Sequence, residues 1–169
     1  YYLLEGQPDS VKAMQQRVLS EVPGSSGADK QARTEARRGW NARLVRARLK
    51  FDDGKPRETL KLLEPGLISE NLKPWERVEW HYRRGRAFQR LQKWDSARAS
   101  YRRALEVPGE VQTYARGNSA LQLAHLYELS RELASARKYY QRSLEYSDFP
   151  FYEGVHQKAK AGLSRLPSS

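Results

Sequence analysis

Two stretches decide the reading: GRAFQRLQKWDSARASYRRALE at residues 85–106 and AHLYELSRELASARKYYQRSLE at residues 124–145. Laid over each other without a gap, they pair Gly85 with Ala124, Phe88 with Tyr127, Ala97 with Ala136 and Tyr101 with Tyr140. Ala104 then meets Ser143, and Leu105 meets Leu144. Every pair is 39 residues apart. Self-similarity at a fixed period of this size marks a repeat architecture. Within each stretch the apolar residues fall at steps of three and four, the spacing of an amphipathic helix. Two antiparallel helices approach closely only where side chains are small, and aromatic rings fill the space beside such a contact. One helix pair cannot cover its own apolar face, so neighbouring pairs must stack.

Working outward, glycine and proline punctuate the chain at EGQPD, EVPGSSGAD, DDGKP, EPG, LKPW, EVPGE and DFPF. Amphipathic segments lie between them, and no run alternates polar with apolar residues as a strand would. The pattern predicts helices near 9–21, 29–52, 56–70, 75–92, 95–107, 111–130, 133–146 and 150–166. PGSSGAD, at 23–29, reads as a flexible linker.

The composition fits an extended helical protein. The chain has 169 residues, of which 30% are charged and 38% hydrophobic, and its net charge is +11. That charge favours acidic partners, whether nucleic acid, an anionic membrane surface or acidic protein segments. The absence of cysteine excludes disulfides, thiol nucleophiles and cysteine-ligated metals, and leaves the compartment open. No apolar run approaches the roughly 20 residues of a membrane helix, and no signal peptide is visible. The opening YYLLEG already lies inside an apolar helical pattern, so the sequence reads as the C-terminal part of a longer protein.

The pattern resembles the tetratricopeptide repeat, a helix pair with three small and two aromatic slots. Gly85, Phe88, Ala97, Tyr101 and Ala104 fill those slots in order, and Ala124, Tyr127, Ala136, Tyr140 and Ser143 fill them again. Thr59 stands at the second small slot of an earlier unit, whose first-helix register is left open between Leu44/Ala47/Phe51 and Gly54. Thr59, Ala97 and Ala136 are 38 and 39 residues apart, against a family period of about 34. The excess is assigned to joints such as VPGEVQTYARG. The resemblance implies an all-α, right-handed solenoid of antiparallel helix pairs. Residues 1–22 form a partial repeat, 29–70, 75–109 and 111–146 form repeats, and 150–166 form a closing helix. That last helix presents Phe151, Val155, Ala159 and Leu163 on one face.

In this family the first helix of each pair lines a ligand groove. Carried over, the groove positions are Tyr82, Arg83, Arg86 and Arg90 in one unit and Asn118, Gln122 and His125 in the next, with Asn41 and Arg48 before them. Arg83, Arg86 and Arg90 form one stripe, in which guanidinium forks pair carboxylates in a way lysine does not. The resemblance thus implies a non-catalytic interaction module or scaffold holding an acidic or extended protein segment. Arginines would take its carboxylates, Asn118 and Gln122 its backbone, and Tyr82 would cover a side chain. The family's carboxylate clamp needs a lysine and asparagines where this chain has Tyr82, Arg86 and Gln122, so that activity is not carried over. The bland account of the stripe is a solvated helix face.

Other chemistry is weakly signalled. His81, His125 and His156 lie in three different helical segments, and His81 occupies a large packing slot. His125 and Glu128 have metal-ligand spacing but no third ligand. No cofactor motif or nucleophile motif is present, and Trp75 and Trp80 read as packing residues. Two alternatives remain: a basic helical scaffold for nucleic acid, and a structural extension packed against the part of the chain that precedes it. Lys158, Lys160 and Arg165 beside an apolar face also admit contact with a membrane surface.

Overall fold

The computed structural model describes residues 8–67, 71–109, 111 and 113–167. The YYLLEG stretch, expected to be helical, lies outside the described residues. Among the described residues the secondary structure is helical throughout, without strands. The helices are α1 (Pro8–Glu21), α2 (Gly27–Arg38), α3 (Ala42–Asp52), α4 (Pro56–Leu62), α5 (Pro74–Arg90), α6 (Trp94–Glu106), α7 (Tyr114–Leu129), α8 (Leu133–Leu144) and α9 (Tyr152–Arg165). Helices α3, α5, α7 and α9 touch in succession and form one layer. Helices α4, α6 and α8 form the second, each packed on the first-layer helices before and after it. Helices α1 and α2 pack on each other as a separate hairpin.

The close contacts fall where the repeat pattern puts small residues. Ala97, Ala104, Ala124 and Ala136 have no exposed surface. A Cβ added at Gly85 would stand 2.5 Å from the Tyr101 ring, and one at Gly162 would stand 2.2 Å from the Tyr140 ring. Both tyrosines are fully buried. Each ring therefore occupies the volume that any other residue's side chain would claim. Thr59 is fully buried too, and its hydroxyl donates to the Ala47 carbonyl at 3.3 Å. Twelve residues separate Ala47 from Thr59, Gly85 from Ala97 and Ala124 from Ala136, which settles the open register on the Leu44/Ala47/Phe51 frame.

Three expectations are corrected. The helix predicted over 29–52 is two helices, broken at Gly39 with φ 82°, a backbone conformation that glycine adopts without strain. Asn41 then starts α3, its Oδ1 accepting from the amides of Arg43 and Leu44. The helix predicted over 56–70 ends at Leu62 and gives way to a 3-10 turn at Pro65–Leu67, because the residue before a proline is pushed out of helical geometry. The inward face of α9 is Val155, Ala159 and Gly162, with Leu166 buried just past its end. Phe151 is half exposed at the start of α9 with φ 63°.

Replacing Gly85 by Val is expected to destabilise the fold by about 1–3 kcal/mol through overpacking against Tyr101. Gly154→Ala, whose methyl group would meet open space, is expected to stabilise by about 0.5 kcal/mol through helix propensity. Thermal melts of the two variants check both signs.

Candidate partner-binding groove

Helix α5 supplies most of the candidate residues. It starts at Pro74, whose missing N–H costs nothing in the first turn, and Glu76 reaches back to accept from the Lys73 amide at 2.7 Å. Four residues on its inner side, Glu79, Tyr82, Arg83 and Arg86, line a cleft of about 1260 Å³. Arg48, Phe51 and Asp52 of α3 line it as well, as do the start of α7, the 147–153 loop and α2.

The phenol of Tyr82 is the centre of a polar ladder. Arg86 Nη1 donates to it at 3.2 Å and Asn118 Nδ2 at 3.3 Å. Gln122 Nε2 donates to Asn118 Oδ1 at 3.3 Å, and Gln89 Nε2 donates to Gln122 Oε1 at 3.2 Å. Tyr101 closes the series by donating to Gln89 Oε1 at 2.6 Å. Burial, above all, pushes the Tyr82 hydroxyl up to about 12, so it stays protonated. Arg86 also lies over the Phe51 ring, 4.6 Å from its centroid. Arg83 pairs with Glu79.

The candidate residues do not form one cluster. Tyr82, Arg83 and Arg86 line the cleft, whereas Arg90 is exposed beyond it. Tyr82 and Asn118 are only 2% and 6% exposed. Their polar groups are engaged with each other and with Arg86, so direct backbone contact by Asn118 and side-chain cover by Tyr82 are replaced by a supporting role. Gln122 is half-buried in the ladder. His125 stands edge-on to Tyr140 with centroids 5.5 Å apart, and burial lowers its pKa. Asn41 caps α3 and donates to Glu76 at 3.0 Å, while Arg48 lines the cleft paired with Asp52.

Sequence reasoning missed Phe51, Tyr114 and α2. Phe51 was legible once the register was fixed, since it stands four residues after Ala47 as Gln89 stands four after Gly85. Tyr114 precedes the repeat positions, and nothing local in α2 signals that it faces α5.

The remaining arginines of the 85–106 region and beyond mostly hold the fold. Arg84 donates to the Leu63 carbonyl and lies over Phe88. Arg98 joins Asp95 to Glu132, each at 2.8 Å, and Arg102 donates to the Tyr127 hydroxyl at 3.2 Å. Arg116 is 7% exposed and donates to the carbonyls of Gly109, Leu105 and Val107, gathering the chain that leaves α6. His81 lies among Arg77, Arg84 and Arg103, and burial first, then these cations, bring its pKa to about 4. Arg103 is exposed. Arg116→Met is expected to cost about 3 kcal/mol, because it leaves buried carbonyls unpaired. Arg103→Met should be close to neutral, and paired denaturant melts check the contrast.

Among the described residues no three or more acidic or histidine side chains are grouped to hold a metal, and no helix is long and apolar enough to cross a membrane. Comparison with curated proteins and with solved structures returned no match. Two family models, both described as tetratricopeptide repeat, match residues 78–107 and 118–148. The matched segments are the α5–α6 and α7–α8 pairs, which pack through the small and aromatic slots of that repeat, and the chain is a tetratricopeptide-repeat protein.

Proposed function

We propose that the chain binds an acidic, extended protein segment along its first-layer helices, with Arg86 as the anchor. Tetratricopeptide repeats are protein–protein interaction or scaffold modules and are generally non-catalytic. The observation that carries the finer reading is the state of Arg86. Its guanidinium lines the cleft, sits between the Phe51 ring and the Tyr82 hydroxyl, and has no acidic partner among the described residues. A guanidinium has five N–H donors, and the bond to Tyr82 leaves a fork open towards the cleft. A carboxylate arriving there gains a bidentate, charge-assisted pair in a partly desolvated setting. Asn118 and Tyr82 hold Arg86 in place. Arg83 adds a second contact by exchanging Glu79 for the ligand. Gln122 and His125 continue the first-layer surface towards α9, and Arg90 lies at its exposed margin.

A fluorescein-labelled oligoglutamate peptide, followed by anisotropy at low salt, tests this. Arg86→Gln is expected to weaken binding about tenfold, the equivalent of one charge-assisted contact. Arg103→Gln removes the same charge from an exposed second-layer position and should change Kd little. Equal losses in the two variants would reduce the effect to net charge and contradict an anchored site. Tighter binding of a single-stranded oligonucleotide, with a steep salt dependence, would favour nucleic acid instead.

A further inference from the structure

The α1–α2 hairpin stands across the cleft from α5, and its attachment there is sparse. Among the described residues no ion pair joins the hairpin to α3–α9. Contact is made at the two ends of α2. At its start Gly27 lies against Phe151, where an added Cβ would come within 2.9 Å of the ring. At its end Arg38 lies over the Trp75 ring at 4.3 Å, and the Arg38 carbonyl accepts from Lys73 Nζ at 3.4 Å. Between these points α2 bounds open space. A helix of twelve residues is about 18 Å long, enough to cover about five residues of extended chain.

Both walls of that space carry cations without an acidic partner among the described residues. Lys30 and Arg37 of α2 line the cleft and have no acidic partner among the described residues, and Arg86 is in the same condition on the opposite wall. Of the acids nearby, Asp52 is paired with Arg48 and Glu79 with Arg83, while Glu35, bonded to the neutral Gln31, leaves one negative charge among the cations of α2. Asp148 and Glu153 belong to the loop and first turn at the Phe151 end. Two cationic walls held together only at their rims repel across the gap, and an anionic chain between them relieves that repulsion on both sides. Gly39, at φ 82° with only the Gln15 side chain near its Cβ position, joins the hairpin to α3 as a glycine hinge.

We infer that the α1–α2 hairpin is the second jaw of a clamp, in which Lys30 and Arg37 grip an acidic extended peptide from the side opposite Arg86. This rests on the acidic-segment reading of the groove and adds to it a partner wall from outside the repeat pattern. Binding in the clamp orders the hairpin against the array, so it couples occupancy of the groove to the position of the chain's N-terminal side.

The experiment uses the full chain with the same oligoglutamate probe. The variant Lys30→Gln/Arg37→Gln keeps good helix formers in α2, and circular dichroism with a thermal melt verifies that it folds. The clamp predicts that this variant binds several-fold more weakly than the parent. It also predicts that the peptide slows amide exchange across α2 in the parent. If the hairpin variant binds like the parent while Arg86→Gln does not, the clamp is overturned and the single-walled groove stands. If neither variant loses affinity, the acidic-segment reading falls and the clamp with it. Tighter binding by the hairpin variant would make α2 a competitor for the groove and would also overturn the clamp.

Discussion

A tyrosine ring seated where a Cβ would otherwise be is the contact on which the rest of this structure depends. Tyr101 sits against Gly85 and Tyr140 against Gly162. Interiors packed to crystal-like density admit no slack at such a point. The distance between helix axes is therefore fixed by the absence of one methyl group and the thickness of one ring. The same two side chains reach the first layer. Tyr101 donates to Gln89, and Tyr140 to Glu128, which also holds Arg165 of α9 in a paired contact at 3.1 and 3.0 Å. Each phenol thus has its ring in the core and its hydroxyl bonded to a first-layer side chain, Gln89 of α5 or Glu128 of α7. The spacing of the first-layer helices and the positions of the groove side chains are set by one residue type at one register.

The net charge of +11 divides into working parts. Arg84 and Arg116 each hold carbonyls at the end of the preceding second-layer helix, a use that suits guanidinium geometry and that no lysine reproduces. Arg98 and Arg102 lie across the joints between neighbouring pairs. Among the described residues, the cleft-lining cations without an acidic partner are Arg86 on one wall and Lys30, Arg33, Arg37 and Arg38 on the other, with Arg33 turned to the carbonyls of Leu19 and Val22 and Arg38 to the Trp75 ring. A basic composition by itself is therefore a poor guide to the ligand here, since most guanidiniums are occupied by the chain's own backbone, rings and acids.

Much of the fold was legible in the sequence because it is written in local spacing. The small and aromatic slots at 85–106 and 124–145 give the helix pairs, their packing and the family. The break at Gly39 was not legible, since glycine inside a helical pattern is tolerated and only the structure shows its positive φ. The candidate site was half legible. Arg83 and Arg86 line the cleft, at positions that follow from the register. The burial of Tyr82 and Asn118 was not legible, because it depends on hydrogen bonds between neighbouring units. Phe51 was hidden by an ambiguity of one residue. The approach of Gly27 to Phe151 joins distant parts of the chain, and no local pattern carries such a contact.

The most direct test of the account is to map where an acidic peptide sits, by a heteronuclear NMR titration of the full chain with the oligoglutamate probe. The account predicts shift changes in the Arg86 side-chain Nε–H and in amides of α3, α5 and α2 that border the cleft, with α4, α6 and α8 quiet. Changes concentrated on the exposed arginines and lysines of those second-layer helices would contradict it, and would return the charge of this protein to a solvated outer face.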